Sequence, residues 1–91
     1  MFDWDEHNDD HIARQGRTHK QVEQMLLSED RLEFQQGLVN GERRFAVIGP
    51  TDDGRTIVAI YTHRLGRIRV VTARDPSARE LALYRRHMRR R

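Results

Sequence analysis

The chain has 91 residues, no cysteine, and 17 basic against 14 acidic side chains, a formal net charge of +3. A chain this short makes one small domain with a thin core, and the lack of cysteine excludes disulfide frameworks and thiolate metal sites. No run approaches the ~18 apolar residues of a membrane span, and the acidic opening does not resemble a signal peptide, so a soluble cytoplasmic protein without membrane association is expected.

In chain order, Met1 to Asp5 alternates apolar and acidic residues, which predicts a short strand with Phe2 and Trp4 turned inward. The polar run from Asp5 to Gln15 predicts a helix with Asp5 near its N-cap and Gly16 ending it. Thr18 and Gln21 match a capping box, and Val22, Met25 and Leu26 follow at helical spacing to about Ser28. The period then changes to alternation. Arg31 to Gln35 reads as a strand, Asn40-Gly41 as a turn, Arg44 to Gly49 as a strand and Pro50 to Gly54 as a loop. Thr56 to Arg64 is apolar on both faces, as a central strand requires. Leu65-Gly66 makes a tight turn, and Arg67 to Arg74 pairs back. Ser77 and Glu80 form a second capping box that opens a C-terminal helix with Leu81, Leu83 and Tyr84 inside. From about residue 85 a basic, solvated tail is expected. The prediction is a single α+β domain over residues 1–91: a short N-terminal strand, two helices, an antiparallel four-stranded sheet and a C-terminal helix.

Charge is distributed unevenly. Residues 1–63 carry seven basic and twelve acidic side chains, whereas residues 64–91 carry ten arginines against Asp75 and Glu80. Such polarity points to a basic surface with a polyanionic partner. Alternation along the arginine strand puts Arg67, Arg69, Val71 and Ala73 on one face and Ile68, Val70 and Thr72 on the other, the better core face. Beside Arg67 and Arg69 the central strand offers Tyr61 and His63 on one side or Thr62 and Arg64 on the other. Guanidiniums with an aromatic on a sheet face suit a single-stranded RNA backbone and a stacked base, and Tyr61, His63 and Arg67 are the expected RNA-binding residues. The competing reading is an edge strand protected by charge. His7 and His11 have the i, i+4 spacing that can present two imidazoles to a metal. No third ligand accompanies them, so a solvated helix face is expected, with no metal and no cofactor.

Several of these residues together resemble the BrnT toxins. They are Phe2-x-Trp4-Asp5-Glu6, the Gly41-Glu42-Arg43 turn, and Tyr61-Thr62-x-Arg64-x4-Arg69-x2-Thr72-Ala73-Arg74, continued by Glu80 and Tyr84. The resemblance covers about residues 2–84. It implies a fold similar to the RelE ribonucleases and a metal-independent RNA-cleaving site, to which Arg64, Arg69, Arg74, Glu80 and Tyr84 correspond. It also implies a BrnA-like ribbon-helix-helix antitoxin as partner, in a heterotetramer, with mRNA on or off the ribosome as substrate. One departure is Arg14-Gln15-Gly16, where the family commonly has Lys-His-Gly. Gln15 does not titrate near neutral pH, which puts any role of that histidine in doubt and leaves His63 or His19 as substitutes.

Metal-free RNA cleavage needs a base for the 2′-hydroxyl, charge stabilisation at the phosphorane and an acid for the 5′-oxygen. Arginine suits the second role and is a poor base. His63, Tyr61, Tyr84 and Glu80 are candidates for the others, although Tyr84 equally suits packing against the sheet and Glu80 suits a cap or an arginine partner. The base stays unassigned. A ribonuclease toxin, an RNA-binding module without chemistry, and an interaction subunit receiving an acidic protein all fit the residues.

Overall fold

The computed structural model describes residues 2–14 and 18–90, without the side chains of His7, Asp9 and Arg14. Its elements are α1 (Glu6–Arg14), α2 (His19–Leu27), β1 (Leu32–Val39), β2 (Glu42–Pro50), β3 (Thr56–Arg64), β4 (Arg67–Arg74) and α3 (Ala78–Arg89). The four strands form one antiparallel sheet in the order β1-β2-β3-β4. This is the expected α+β architecture. The N-terminal strand is reduced to a single parallel bridge between Phe2 and Ile68, with the Asp3 amide donating to the Ile68 carbonyl at 2.7 Å. The expected helix end at Gly16, together with Gln15, lies outside the described residues.

Each helix starts where its side chains can satisfy the free amides of a first turn. At α1 the Asn8 amide donates to Asp5 Oδ1 (2.9 Å) and the Asp5 amide donates to Asn8 Oδ1 (2.7 Å). At α2 the Gln21 amide donates to Thr18 Oγ1 and the Thr18 amide to the Gln21 side chain. Ser77 and Glu80 repeat that exchange at α3. Caps of this kind contribute about 1 kcal/mol each. The β1–β2 and β3–β4 hairpins close through two-residue turns, Asn40-Gly41 and Leu65-Gly66, with positive φ at all four positions. That geometry matches the twist of the flanking strands.

Alternation along the strands divides the sheet into two faces. Val47, Ile57, Ala59, Val70 and Ala73 face Ile12 of α1 and Val22, Met25 and Leu26 of α2. Phe2, Trp4, Tyr61 and Ile68 pack at the margin of this cluster. Full burial of Ile12, Met25 and Ile57 contributes roughly 1.5–3 kcal/mol per side chain. α2 approaches β2 closely at Gly49, where a Cβ would lie 3.0 Å from the Met25 side chain and 3.2 Å from the Arg31 Cα. On the second face, Ile48 and Val58 receive Tyr84 of α3, flanked by Leu32, Phe34 and Met88.

Two expectations about faces are corrected. Register shifts between Ile60 and Tyr61: Ile60 opposes Thr72 and Tyr61 opposes Val70, which leaves Val71 as a bulge. A bulge resets the alternation. Ala73 therefore joins Val70 in the core, and Thr72 turns away from it, the reverse of a regular strand. In α3, Leu83 is exposed, and Met88, one turn beyond Tyr84, packs inward instead. The basic segment from about residue 85, expected as a solvated tail, is helical to Arg89.

Candidate nucleic-acid interface

Cross-strand register answers what the arginines face. Arg44 opposes Thr62 and Thr62 opposes Arg69, and directly opposed residues of antiparallel strands point to the same side. The row lies on the second face, four residues along β2 and β3 from Ile48 and Val58, or about 13 Å at strand rise. The next row places Arg64 opposite Arg67, with Glu42 beside Arg64 on β2. α1 stands at the β4 edge, and its Asn8 and His11 complete a cleft of about 330 Å³ with Glu42, Arg44, Thr62, Arg64 and Arg69.

Sequence fixes how α1 stands there. Ile12 is fully buried, and Asn8, one turn earlier, is nearly so. The Asn8 amide nitrogen Nδ2 donates to the carbonyls of Asp3 (3.3 Å) and Val70 (3.4 Å). These two anchors set the rotation of the helix. His11, three residues beyond Asn8, lies on a neighbouring stripe of the helix surface and reaches the cleft wall.

Every arginine of the cleft has an acidic neighbour from its own chain. Glu42 lies between two of them, Oε1 at 3.2 Å from Arg44 Nε and Oε2 at 3.6 Å from Arg64 Nη2. Arg69 is the most enclosed, its side chain 17% exposed, with Nη2 at 2.8 Å from Asp5 Oδ2 and Nη1 at 3.5 Å from Asp3 Oδ2. Hydrogen bonding to Asp5 raises the Arg69 guanidinium further above its ordinary value, so it stays a fixed cation. Arg64 is half exposed and Arg67 is exposed. Thr62 is buried and its hydroxyl donates to the Arg43 carbonyl at 2.7 Å, which holds the cleft floor.

The residues expected from sequence separate into three places. Arg64 and Arg69 share the cleft, with Arg67 at its rim. Arg74 and Glu80 sit at the α3 N-terminus as a bidentate pair at 2.7 and 2.8 Å. Arg74, with help from the Ser77 backbone, lowers the Glu80 carboxyl to about 2. Glu80 is thus an ionised cap and arginine partner that cannot accept a proton near neutral pH. Tyr84 is buried under α3 and its hydroxyl donates to the Asp30 carbonyl at 2.9 Å. Tyr61 and His63 oppose Val70 and Ile68, on the face away from the cleft. There they form an aromatic cluster with Phe45, at ring separations of 5.2 Å (Tyr61), 5.5 Å (His63) and 5.7 Å between Tyr61 and His63. Burial raises the Tyr61 phenol above its usual value, with a smaller contribution from Glu33. Of the two sides the central strand offered, the arginines share theirs with Thr62.

Arg44 and Asn8 were not singled out from sequence; Glu42 entered only within the Gly41-Glu42-Arg43 turn, and His11 only as half of a histidine pair weighed for a metal. One signal was present. A two-residue turn at Leu65-Gly66 forces Arg64 against Arg67 and hence Thr62 against Arg69, and carrying the alternation of β2 across would have found Arg44. Nothing local assigns His11 to the cleft, since α1 is placed by tertiary contacts. His7 of the sequence-level histidine pair lies outside the described side chains. Among the described residues no group of three or more metal-ligating side chains is assembled, and no helix is long and apolar enough to cross a membrane.

Residues 4–80 match a family model described as the ribonuclease toxin BrnT of type II toxin–antitoxin systems. No curated protein matches the chain.

Proposed function

The chain belongs to the BrnT family of ribonuclease toxins of type II toxin–antitoxin systems, and from that premise we propose that it cleaves mRNA in the bacterial cytoplasm by a metal-independent attack of the substrate's own 2′-hydroxyl. The observation that carries this reading is the convergence of Arg44, Arg64 and Arg69 on one cleft. Three guanidiniums offer oriented donors around a phosphate and remain protonated as its charge develops. Arg69, held by Asp3 and Asp5, is pre-positioned. Arg64, freer at the hairpin end, follows the strand. Positioning and charge stabilisation of this kind supply many orders of magnitude in rate. Arg74, Glu80 and Tyr84 then support the sheet and α3 instead of touching the scissile phosphate. The antitoxin is a BrnA-like ribbon-helix-helix protein that covers the arginine face, in a heterotetramer. Ten arginines in residues 64–91 support an acidic covering segment.

The test is cleavage of a short single-stranded RNA at low ionic strength by folded, antitoxin-free protein, with EDTA present. A 2′,3′-cyclic phosphate end is expected, and activity that vanishes in EDTA would overturn the metal-free step. One observation favours a second reading, a binding module without chemistry: Arg69 already has two carboxylate partners. RNA binding with no cleavage would select it. Co-expression with the adjacent reading frame tests the partner, since two proteins that purify separately would remove the antitoxin assignment.

A further inference from the structure

Among the described side chains, the arginine cleft contains one that can exchange a proton near neutral pH, and it is none of those weighed for a base or acid from sequence. Tyr61 and His63 lie on the other face of the sheet, His19 packs its ring beside Trp4, Tyr84 is buried against Asp30, and Glu80 is locked to Arg74. Guanidiniums do not deprotonate, and Thr62 is engaged with the Arg43 carbonyl. His11 remains. It is exposed, and it lines the cleft with Arg64 and Arg69. The groups facing it are Glu42 and Arg44 on β2, Arg64 on β3 and Arg69 on β4, the last tied to Asp3 and Asp5. The carboxylate of Glu42 is shared between Arg44 and Arg64. A neutral imidazole carries the lone pair that a base requires.

We infer that His11 is the proton acceptor of the cleft and activates the 2′-hydroxyl of a ribonucleotide whose phosphate rests on Arg64 and Arg69. This rests on the ribonuclease reading above. His11 takes the 2′-hydroxyl proton, and the 2′-oxygen bonds to phosphorus. The bond from phosphorus to the 5′-oxygen breaks, its electron pair leaving on that oxygen, which is protonated by water. The products are a 2′,3′-cyclic phosphate and a 5′-hydroxyl, and the imidazolium returns its proton to solvent. The substrate class follows: RNA is cleaved, and an otherwise identical strand with 2′-deoxyribose or 2′-O-methylribose at the scissile position is bound but not cut.

The experiment is a single-turnover pH–rate profile on a short single-stranded RNA for the full chain, His11→Gln and His11→Ala. Affinity is measured separately with the 2′-O-methyl strand. The unsubstituted protein should show a rate that rises with pH along one limb, as a histidine base loses its proton, and levels above it. His11→Gln should bind within about twofold, lose that limb and fall by roughly 10²–10⁴-fold in rate. Imidazole added to His11→Ala should restore part of the rate, which a merely structural role would not allow. Because His11 is exposed, both variants should melt like the parent. If the parent cleaves and His11→Gln keeps its rate within about threefold with the same limb, His11 is not the base, while the ribonuclease reading stands. If the folded parent does not cleave, both fall.

Discussion

Arg69 and Asp5 are joined at 2.8 Å through one carboxylate oxygen, Oδ2, while the other, Oδ1, accepts the Asn8 amide at the start of α1. One side chain thus caps a helix and holds an arginine of the cleft. The wall that presents His11 and the floor that presents Arg69 are fixed to each other through it. Such coupling means that binding geometry and fold stability cannot be separated at this position.

Arg69→Ala should therefore lose both. Removing it takes away one tie between the N-terminal segment and β4 and a cation beside Asp3 and Asp5, a loss on the order of 1–2 kcal/mol given the solvent around Asp5. Urea denaturation reads the stability and growth inhibition reads the toxicity. Asp5→Asn keeps a good N-cap while removing the charge, so it should cost less than Arg69→Ala. Equal losses would mean that the ion pair contributes nothing beyond the cap.

With RNA seated in the cleft as proposed, Glu42 would compete with it for Arg44 and Arg64. Its carboxylate sits beside the donors that a phosphate would need and adds a negative charge to the cleft. Glu42→Gln should tighten RNA binding by about fivefold, which corresponds to roughly 1 kcal/mol of removed repulsion. Fluorescence anisotropy with labelled single-stranded RNA at low salt measures it. Weaker binding in the variant would show that Glu42 orients the two arginines and does not mask them.

Much of this fold was readable because its decisive signals are local. The Thr18/Gln21 and Ser77/Glu80 boxes and the turns at Asn40-Gly41 and Leu65-Gly66 each depend on a few adjacent residues, and the structure has all four. The arginines were legible as chemistry but not as a place. Arg64, Arg69 and Arg74 look alike in sequence, yet the bulge at Val71 and the carboxylate of Glu80 give Arg74 a separate setting. The cleft draws on α1 and three strands, so Arg44 and His11 belong to it only through register and helix docking. Pattern along the chain carries little of that information.

The Arg74–Glu80 pair gives acid stability a defined window. Glu80 titrates at about 2 in the folded protein against an ordinary 4.5, chiefly through its hydrogen bonds from Arg74. A depressed carboxyl stabilises the fold fully above its unfolded value and loses that contribution as pH falls toward the folded one. The pair's contribution should thus be complete above pH 4.5 and disappear on approach to pH 2. With Arg74 partly exposed, the amount is on the order of 1–2 kcal/mol. Urea midpoints at several pH values for the parent and Glu80→Gln should converge as pH drops through this window. A gap that stays constant would mean that ionisation of Glu80 is not what the substitution removes.

Leu65 has φ of 52° at the tip of the β3–β4 hairpin, and its side chain is 98% exposed. A leucine in the left-handed region is held there against its preference, at roughly 1 kcal/mol, and gains nothing from burial. Leu65→Asn should raise stability by about 0.5–1 kcal/mol, because asparagine tolerates that backbone and suits the first position of such a turn. Thermal melting tests the gain. If toxicity falls while stability rises, the exposed leucine is a contact for substrate or partner.

Arg64, Tyr84 and Arg90 separate the cleft from the rest of the basic surface. Arg64 is half exposed and paired only at 3.6 Å with Glu42, so Arg64→Ala should leave stability within about 0.5 kcal/mol. Its guanidinium lines the cleft, so the same change should relieve growth inhibition. Tyr84→Phe loses the hydrogen bond to the Asp30 carbonyl, worth about 1 kcal/mol, while the ring stays packed on Ile48 and Val58. It should keep full toxicity at a temperature where the fold persists. Arg90 caps the end of α3 and lies with Leu32, Leu83, Arg86 and His87, none of which lines the cleft, and Arg90→Ala should inhibit growth as the parent does. Cell growth under titrated expression, with urea denaturation of each purified variant, distinguishes the three. Loss of toxicity in stable Tyr84→Phe would move the reacting centre toward α3, whereas full toxicity in folded Arg64→Ala would reduce the cleft arginines to electrostatic attraction.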